Sequence, residues 1–236
     1  MLADREQARD SAAFSMGLQS QTRQRARFLL TIEARCRSET PTVIQLEPCP
    51  WCGNDPLYRA YHDEEWGLPC REEQALFEFL ILEGMQAGLA WITILRKRAA
   101  FRAAFANFDA ERVASFAEAD RARLLADPGI VRNRAKIDAA IANARIIVEL
   151  RARGGGLKDL LWSYVDGVAV QNRFVSMSDV PPSSPLSERM SKDLRKRGLR
   201  FVGPTICYAL MQAAGLVNDH LVHCPRHDAC AALASA

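Results

Sequence analysis

The sequence predicts an all-α fold, a compact bundle of short helices. Three observations predict it. Apolar residues recur at helical spacing in several separate windows. No stretch shows the strict apolar–polar alternation of a half-buried strand. The windows are punctuated by Gly, Pro and Asp where helices start and stop.

Taken in order, residues 1–44 are rich in Arg, Gln, Ser and Ala without a core-forming pattern, and read as a disordered N-terminal extension. Helical spacing first appears from Glu72 to Leu82, carried by Leu76, Phe77, Leu80 and Ile81. It returns from Ala90, where Trp91, Ile94, Leu95, Phe101 and Phe105 share a side. Asp109 is a suitable N-cap for a short helix reaching Phe116, and another short helix spans Asp120 to Leu125. Asp127-Pro128-Gly129 breaks the chain, and a long helix follows from about Val131 to Leu150, ended by Gly154-Gly155-Gly156. A short helix is expected over Leu157–Val165, then an irregular segment over 166–185. A helix from Ser187 to Arg197 ends at Gly198, and Pro204 opens the last strong helix, which Gly215 closes.

The stretch from Cys49 to Trp91 organises the chain. Of the chain's 4 Trp and 4 Tyr, four (Trp51, Tyr58, Tyr61 and Trp66) fall within it before residue 67. Amphipathic aromatics at that density suit a pocket that stacks on a flat ligand and hydrogen-bonds its edge. Glu83 lies seven residues after Leu76 and three after Leu80, on the apolar face. A charge there must find a partner or leave water at a cost of several kcal/mol, on the order of 3 or more. Gly84 could end the helix and let Glu83 turn to solvent; Trp91 and the QAGLAW turn favour a site instead.

Composition bounds the function. A chain of 236 residues at 49% hydrophobic can bury a full core, and no apolar run approaches the ~20 residues of a membrane span. The net charge of +3 does not by itself declare nucleic acid. Two clusters do more: Arg189, Lys192, Arg195, Lys196, Arg197 and Arg200, and Arg132, Arg134 and Lys136, either as solvated helix faces or as phosphate contacts. Seven widely spaced cysteines with no secretory pattern predict a reducing, cytoplasmic setting rather than a disulfide scaffold. His220 and Cys224, at i and i+4, have ligand spacing on a helical turn, and Cys49 and Cys52 form a second pair.

Three segments carry a resemblance: DPLYRAYHDEEWG, LEGMQAGLAW and FVGPTICY. With them the chain resembles the 3-methyladenine DNA glycosylase I family over roughly residues 47–225. The resemblance implies a glycosylase domain over 45–228, a C-terminal tail over 229–236, and a fold of the helix-hairpin-helix DNA glycosylase type. It implies a monofunctional, monomeric base-excision repair enzyme that hydrolyses the N-glycosidic bond of 3-methyladenine in alkylated double-stranded DNA, with no membrane partner. Glu83 would be catalytic, and Trp51, Tyr58, Tyr61, Trp66 and Trp91 would bind the base. Gly88 and Leu89 would fill the gap left by the flipped nucleotide. One structural zinc per chain would be bound by Cys49, His62, His220 and Cys224, leaving Cys52, His223, His227 and Cys230 as spectators.

Two departures from the wider superfamily stand out. The hairpin is less glycine-rich than usual, with Ile130-Val131-Arg132 in place of the second glycine, although its second helix should still offer backbone N–H groups to a phosphate. The superfamily's aspartate after the hairpin is missing. No acid follows the long helix before Asp159, which reads as a cap or dipole partner of a short helix. Two rival classes differ from this reading in their residues: a non-catalytic alkyl-DNA binder would lack Glu83 or the aromatics, and a zinc hydrolase needs an open ligand position.

Overall fold

The computed structural model describes residues 47–234. The expected N-terminal extension, 1–44, lies outside the described residues. Ten α-helices run through the described chain, joined by short 3₁₀ turns: α1 Pro56–Glu64, α2 Glu73–Gln86, α3 Trp91–Ala104, α4 Ala110–Ala114, α5 Glu118–Ala126, α6 Arg134–Ala152, α7 Leu157–Trp162, α8 Pro185–Lys196, α9 Pro204–Ala213 and α10 Pro225–Ala231. Two two-residue strands, β1 Val170–Gln171 and β2 Val217–Asn218, pair in parallel with Val170 opposite Val217. Among the described residues, no helix is long and apolar enough to cross a membrane.

Helix α2 is the axis of the bundle. Every residue from Leu76 to Met85 is buried, so it is apolar all round rather than along one stripe. Helices α3, α6, α7 and α9 pack around it. It also carries two buried carboxylates. Glu78 is matched by Arg98 at 2.6 Å and Arg102 at 2.9 Å, both from α3. Glu83 has no such partner among the described residues.

The structure corrects several expectations. Helix α2 does not stop at Gly84; it runs on to Gln86, so Glu83 cannot turn to solvent. The glycine serves a close approach, since a Cβ there would stand 3.3 Å from the Cβ of Phe201. The long helix begins at Arg134, not near Val131, because the Asn133 side chain caps it by accepting from Lys136 N. Its first free N–H groups therefore lie further from the Pro-Gly turn than expected. Helix α7 is capped by Glu73, which accepts from Leu157 N at 3.1 Å and Lys158 N at 2.7 Å, and not by Asp159. Asp159 has a side chain 66% exposed.

The basic clusters also divide. Lys136 is buried and donates to backbone carbonyls, so it is no phosphate contact. Arg189 donates to Tyr164 O, and Arg197 pairs with Asp193. Helix α10, absent from the sequence reading, crosses the expected boundary between domain and tail at 228–229 and buries Cys230.

Candidate functional site

The site is built from several segments. A 3₁₀ turn at Pro50–Cys52 presents Trp51. Helix α1 follows, started by Asp55, which accepts from Leu57 N and Tyr58 N, and by Pro56 at its first position. Tyr58, Tyr61 and His62 lie three and four residues apart on α1 and share a face. Helix α2 supplies Glu83 near its end, and Trp91 opens α3 after the Gly88–Leu89 turn. Helix α9 closes the far side with Tyr208 and Gln212, together with Asp219 just after β2.

These residues enclose a cavity of about 290 Å³. All six expected pocket residues line it: Trp51, Tyr58, Tyr61, Trp66, Glu83 and Trp91. The rings meet mostly edge to face, as their quadrupoles prefer: Trp51–Tyr58 at 5.1 Å, Trp51–Trp66 at 4.9 Å, and Tyr61–Trp91 tilted at 5.4 Å. Gly88 and Leu89 do not line the cavity; they stand beside it on the turn, with Leu89 42% exposed.

The polar atoms of the cavity decide what it can do. Glu83 is 3% exposed, and its Oε2 is buried with no hydrogen-bond partner among the described residues. The indole N–H groups of Trp51 and Trp91 are likewise buried and unpartnered. Native interiors rarely leave such groups unsatisfied, so one acceptor and two donors around one cavity mark a place for a polar ligand. Burial alone raises the Glu83 carboxyl from the usual 4.5 to about 8. Burial also raises Tyr61 well above the ordinary tyrosine value, so its hydroxyl keeps its proton and can donate.

Asp219 was missed by sequence reasoning. It is a second buried carboxylate on the cavity wall, accepting from Tyr208 Oη at 2.6 Å, Gln212 Nε2 at 2.8 Å and Asn172 Nδ2 at 2.6 Å. Its needs are met within the protein; those of Glu83 are not. The irregular segment contributes Met177, Val180, Pro181 and Pro182 to the rim, also unforeseen because nothing in its pattern points inward. The one available signal was position: Asp219 directly precedes a metal-ligand candidate.

Behind the aromatic wall, Cys49, His62, His220 and Cys224 bring their ligand atoms within 4.8 Å of one another, all buried. Three sulfur–nitrogen separations are each 3.6 Å: Cys49 Sγ to His220 Nδ1, and Cys224 Sγ to His62 Nε2 and to His220 Nδ1. A tetrahedron with ~2.3 Å sulfur bonds and ~2.0 Å nitrogen bonds has sulfur–nitrogen edges of ~3.6 Å. The outer ring nitrogens are fixed as well. His62 Nδ1 donates to Asp63 at 2.7 Å and His220 Nε2 donates to the Trp66 carbonyl at 3.0 Å, which turns the bare nitrogens toward the centre. The four residues can therefore hold a metal ion. His220 and Cys224 sit on a turn between β2 and α10, not on a helical turn as their spacing suggested.

The cluster and the pocket share walls. Trp66 packs on the His220 ring at 4.7 Å and Trp51 on the His62 ring at 5.2 Å. Gly67, at φ +81°, lets the backbone pass His220; a Cβ would lie 3.0 Å from its ring. Cys52 stays apart, its thiol donating to Cys49 O.

The chain is similar to several known proteins. A family model described as methyladenine glycosylase matches residues 51–227. The DNA-3-methyladenine glycosylase 1 of Escherichia coli (strain K12) is 49% identical over 179 residues, covering 76% of this chain and 96% of that protein. The DNA-3-methyladenine glycosylase of Haemophilus influenzae is 42% identical over 177 residues, covering 75% and 96%. A solved 3-methyladenine DNA glycosylase I from Staphylococcus aureus, described for its recognition of 3-methyladenine, superposes with a TM-score of 0.74 at 36% identity, covering 77% of this chain and 97% of that one.

Proposed function

This chain belongs to the methyladenine glycosylase family, and we propose that it repairs alkylated DNA by hydrolysing the N-glycosidic bond of 3-methyladenine. The observation that carries the residue-level reading is the unpartnered Glu83 Oε2 inside an aromatic cavity. A base inside a duplex cannot reach such a cavity, so the target nucleotide must leave the stack.

Alkylation at N3 gives the base a positive charge. Electron-rich aromatic faces attract that charge by ~0.5–2 kcal/mol. Trp91 is the stacking platform, and Trp51, Tyr58 and Trp66 form the other walls. Glu83 accepts from the exocyclic amine, which reads adenine, and Tyr61 donates to the base edge. A cationic base next to Glu83 favours the ionised carboxylate that burial alone disfavours, so charge attraction grows where the base is recognised. A cationic base is already a good leaving group, and recognition then doubles as catalysis. Among the described residues no lysine lines the cavity, which supports simple hydrolysis over an amine nucleophile and strand cleavage.

Gly88 and Leu89 fill the gap in the stack, and the α5–α6 hairpin, of the helix-hairpin-helix type, meets the phosphates near it. Cys49, His62, His220 and Cys224 hold one structural zinc; with four protein ligands such a site is closed and supplies stability rather than chemistry. The decisive experiment is release of free 3-methyladenine from methylated duplex DNA in single turnovers. The parent should release it and Glu83→Gln should lose most of the rate, because the amide turns a donor toward an amine. A fully active Glu83→Gln would overturn the pocket assignment.

A further inference from the structure

Lys136 stands in the third position of α6, yet it faces inward. Its Nζ donates to Met85 O at 2.8 Å and to Ala87 O at 2.7 Å. Met85 lies in the last turn of α2 and Ala87 is its C-cap. The last carbonyls of a helix have no partner within it, and a cation there suits the helix dipole. Water does this at an exposed helix end. Here a buried ammonium does it, with no carboxylate beside it among the described residues to offset the loss of water, and burial disfavours the charge.

What the ammonium fixes is the start of the turn between α2 and α3. That turn is short and otherwise lightly held. Leu89 N donates to Gln86 O at 2.6 Å, Gly88 takes φ +81° with open space around its Cβ position, and Leu89 points outward. Glu83 lies one helical repeat before Ala87, and Trp91 opens the helix after the turn. The lysine thus ties α6 to the junction between the carboxylate that reads the base and the exposed leucine.

We propose that Lys136 is a positioning residue: its two bonds to the end of α2 hold the Gly88–Leu89 turn in the register in which Leu89 enters the stack while Glu83 faces the extruded base. This rests on reading Gly88–Leu89 as the gap-filling element. The consequence is selective. Losing the two bonds displaces the turn, so extrusion from an intact duplex suffers, while a base already outside the stack finds an intact pocket.

The test uses the full chain carrying Lys136→Met, which keeps the apolar stem and removes the donors. Three quantities are measured: single-turnover excision of 3-methyladenine from a fully paired duplex, excision of the same lesion from a bulge where it is already unstacked, and binding of free 3-methyladenine read by tryptophan fluorescence. The expected result is a fall of about 10- to 100-fold on the paired duplex, the range for a misplaced positioning element, with the other two close to the parent. Unchanged excision from the paired duplex overturns the proposal, as does a parallel fall in all three, which would mean damage to the pocket or the fold. Should Lys136→Met fail to fold, Lys136→Leu, which likewise removes the donors, is judged by the same comparison. Leu89→Ala separates the two layers: if it leaves excision from the paired duplex intact, the reading of the turn fails whatever Lys136→Met does.

Discussion

At the scale of single residues, the contrast between Glu78 and Glu83 carries the chemistry. Both are buried on α2, five positions apart, but only Glu78 meets guanidinium groups. A carboxyl whose folded value stands above its unfolded one holds its proton more tightly in the folded protein. It therefore costs stability as pH rises from the usual 4.5 to about 8, and the cost is level above that. At ~1.4 kcal/mol per pH unit the full cost is a few kcal/mol, at most about 5. We expect the stability of Glu83→Gln relative to the parent to improve by that order between about pH 4.5 and about pH 9, read from urea melts at the two ends. A difference independent of pH would show that Glu83 is not buried as an unpartnered acid. The same substitution should remove most excision, while the exposed Asp159→Asn should leave both rate and stability within about 0.5 kcal/mol of the parent.

At the scale of elements, the caps decide where helices begin. Glu73 reaches across from the start of α2 to the first N–H groups of α7, and Gly156 is a glycine in part because a Cβ there would collide with that carboxylate. Glu73→Ala should cost about 1–2 kcal/mol, the range for losing an N-cap, seen as a lower denaturant midpoint at unchanged slope. A cost below about 0.3 kcal/mol would mean that water replaces the cap without loss.

At the scale of the molecule, the cysteine–histidine cluster joins the two ends of the described chain. Cys49 and His220 stand 171 positions apart, and their side chains lie 3.6 Å apart. A metal held there closes nearly the whole domain into one loop, and its binding energy becomes folding energy. Elemental analysis should find about one zinc per chain, and strong chelators should lower the melting temperature. A metal-free protein with unchanged melting would refute the zinc assignment. Residues 1–44 lie outside the matched family region, and a chain beginning at Leu46 should keep folding and excision rate. A large loss of either would give the extension a role that its composition does not suggest.

The sequence by itself determined the helical class and the aromatic cluster, and its motifs, through the family they resemble, the four metal-ligand candidates. Each of those is written locally, in a run of motif residues or in the period of an apolar stripe. The stripe through Leu76 and Leu80 even placed Glu83 inward. Only the tertiary structure decided which buried carboxylate is left without a partner, because the arginines that satisfy Glu78 come from α3 and the three donors that satisfy Asp219 come from residues 172, 208 and 212. It likewise made Lys136, one of a cluster open to either solvent or phosphate, the anchor of a turn 49 and 51 positions earlier in the chain, and gave the capping of α7 to Glu73 in place of Asp159. Periodicity reports which face of a helix is buried. What stands across from that face, and so whether a buried polar atom is satisfied or waits for a ligand, depends on residues that only folding brings near.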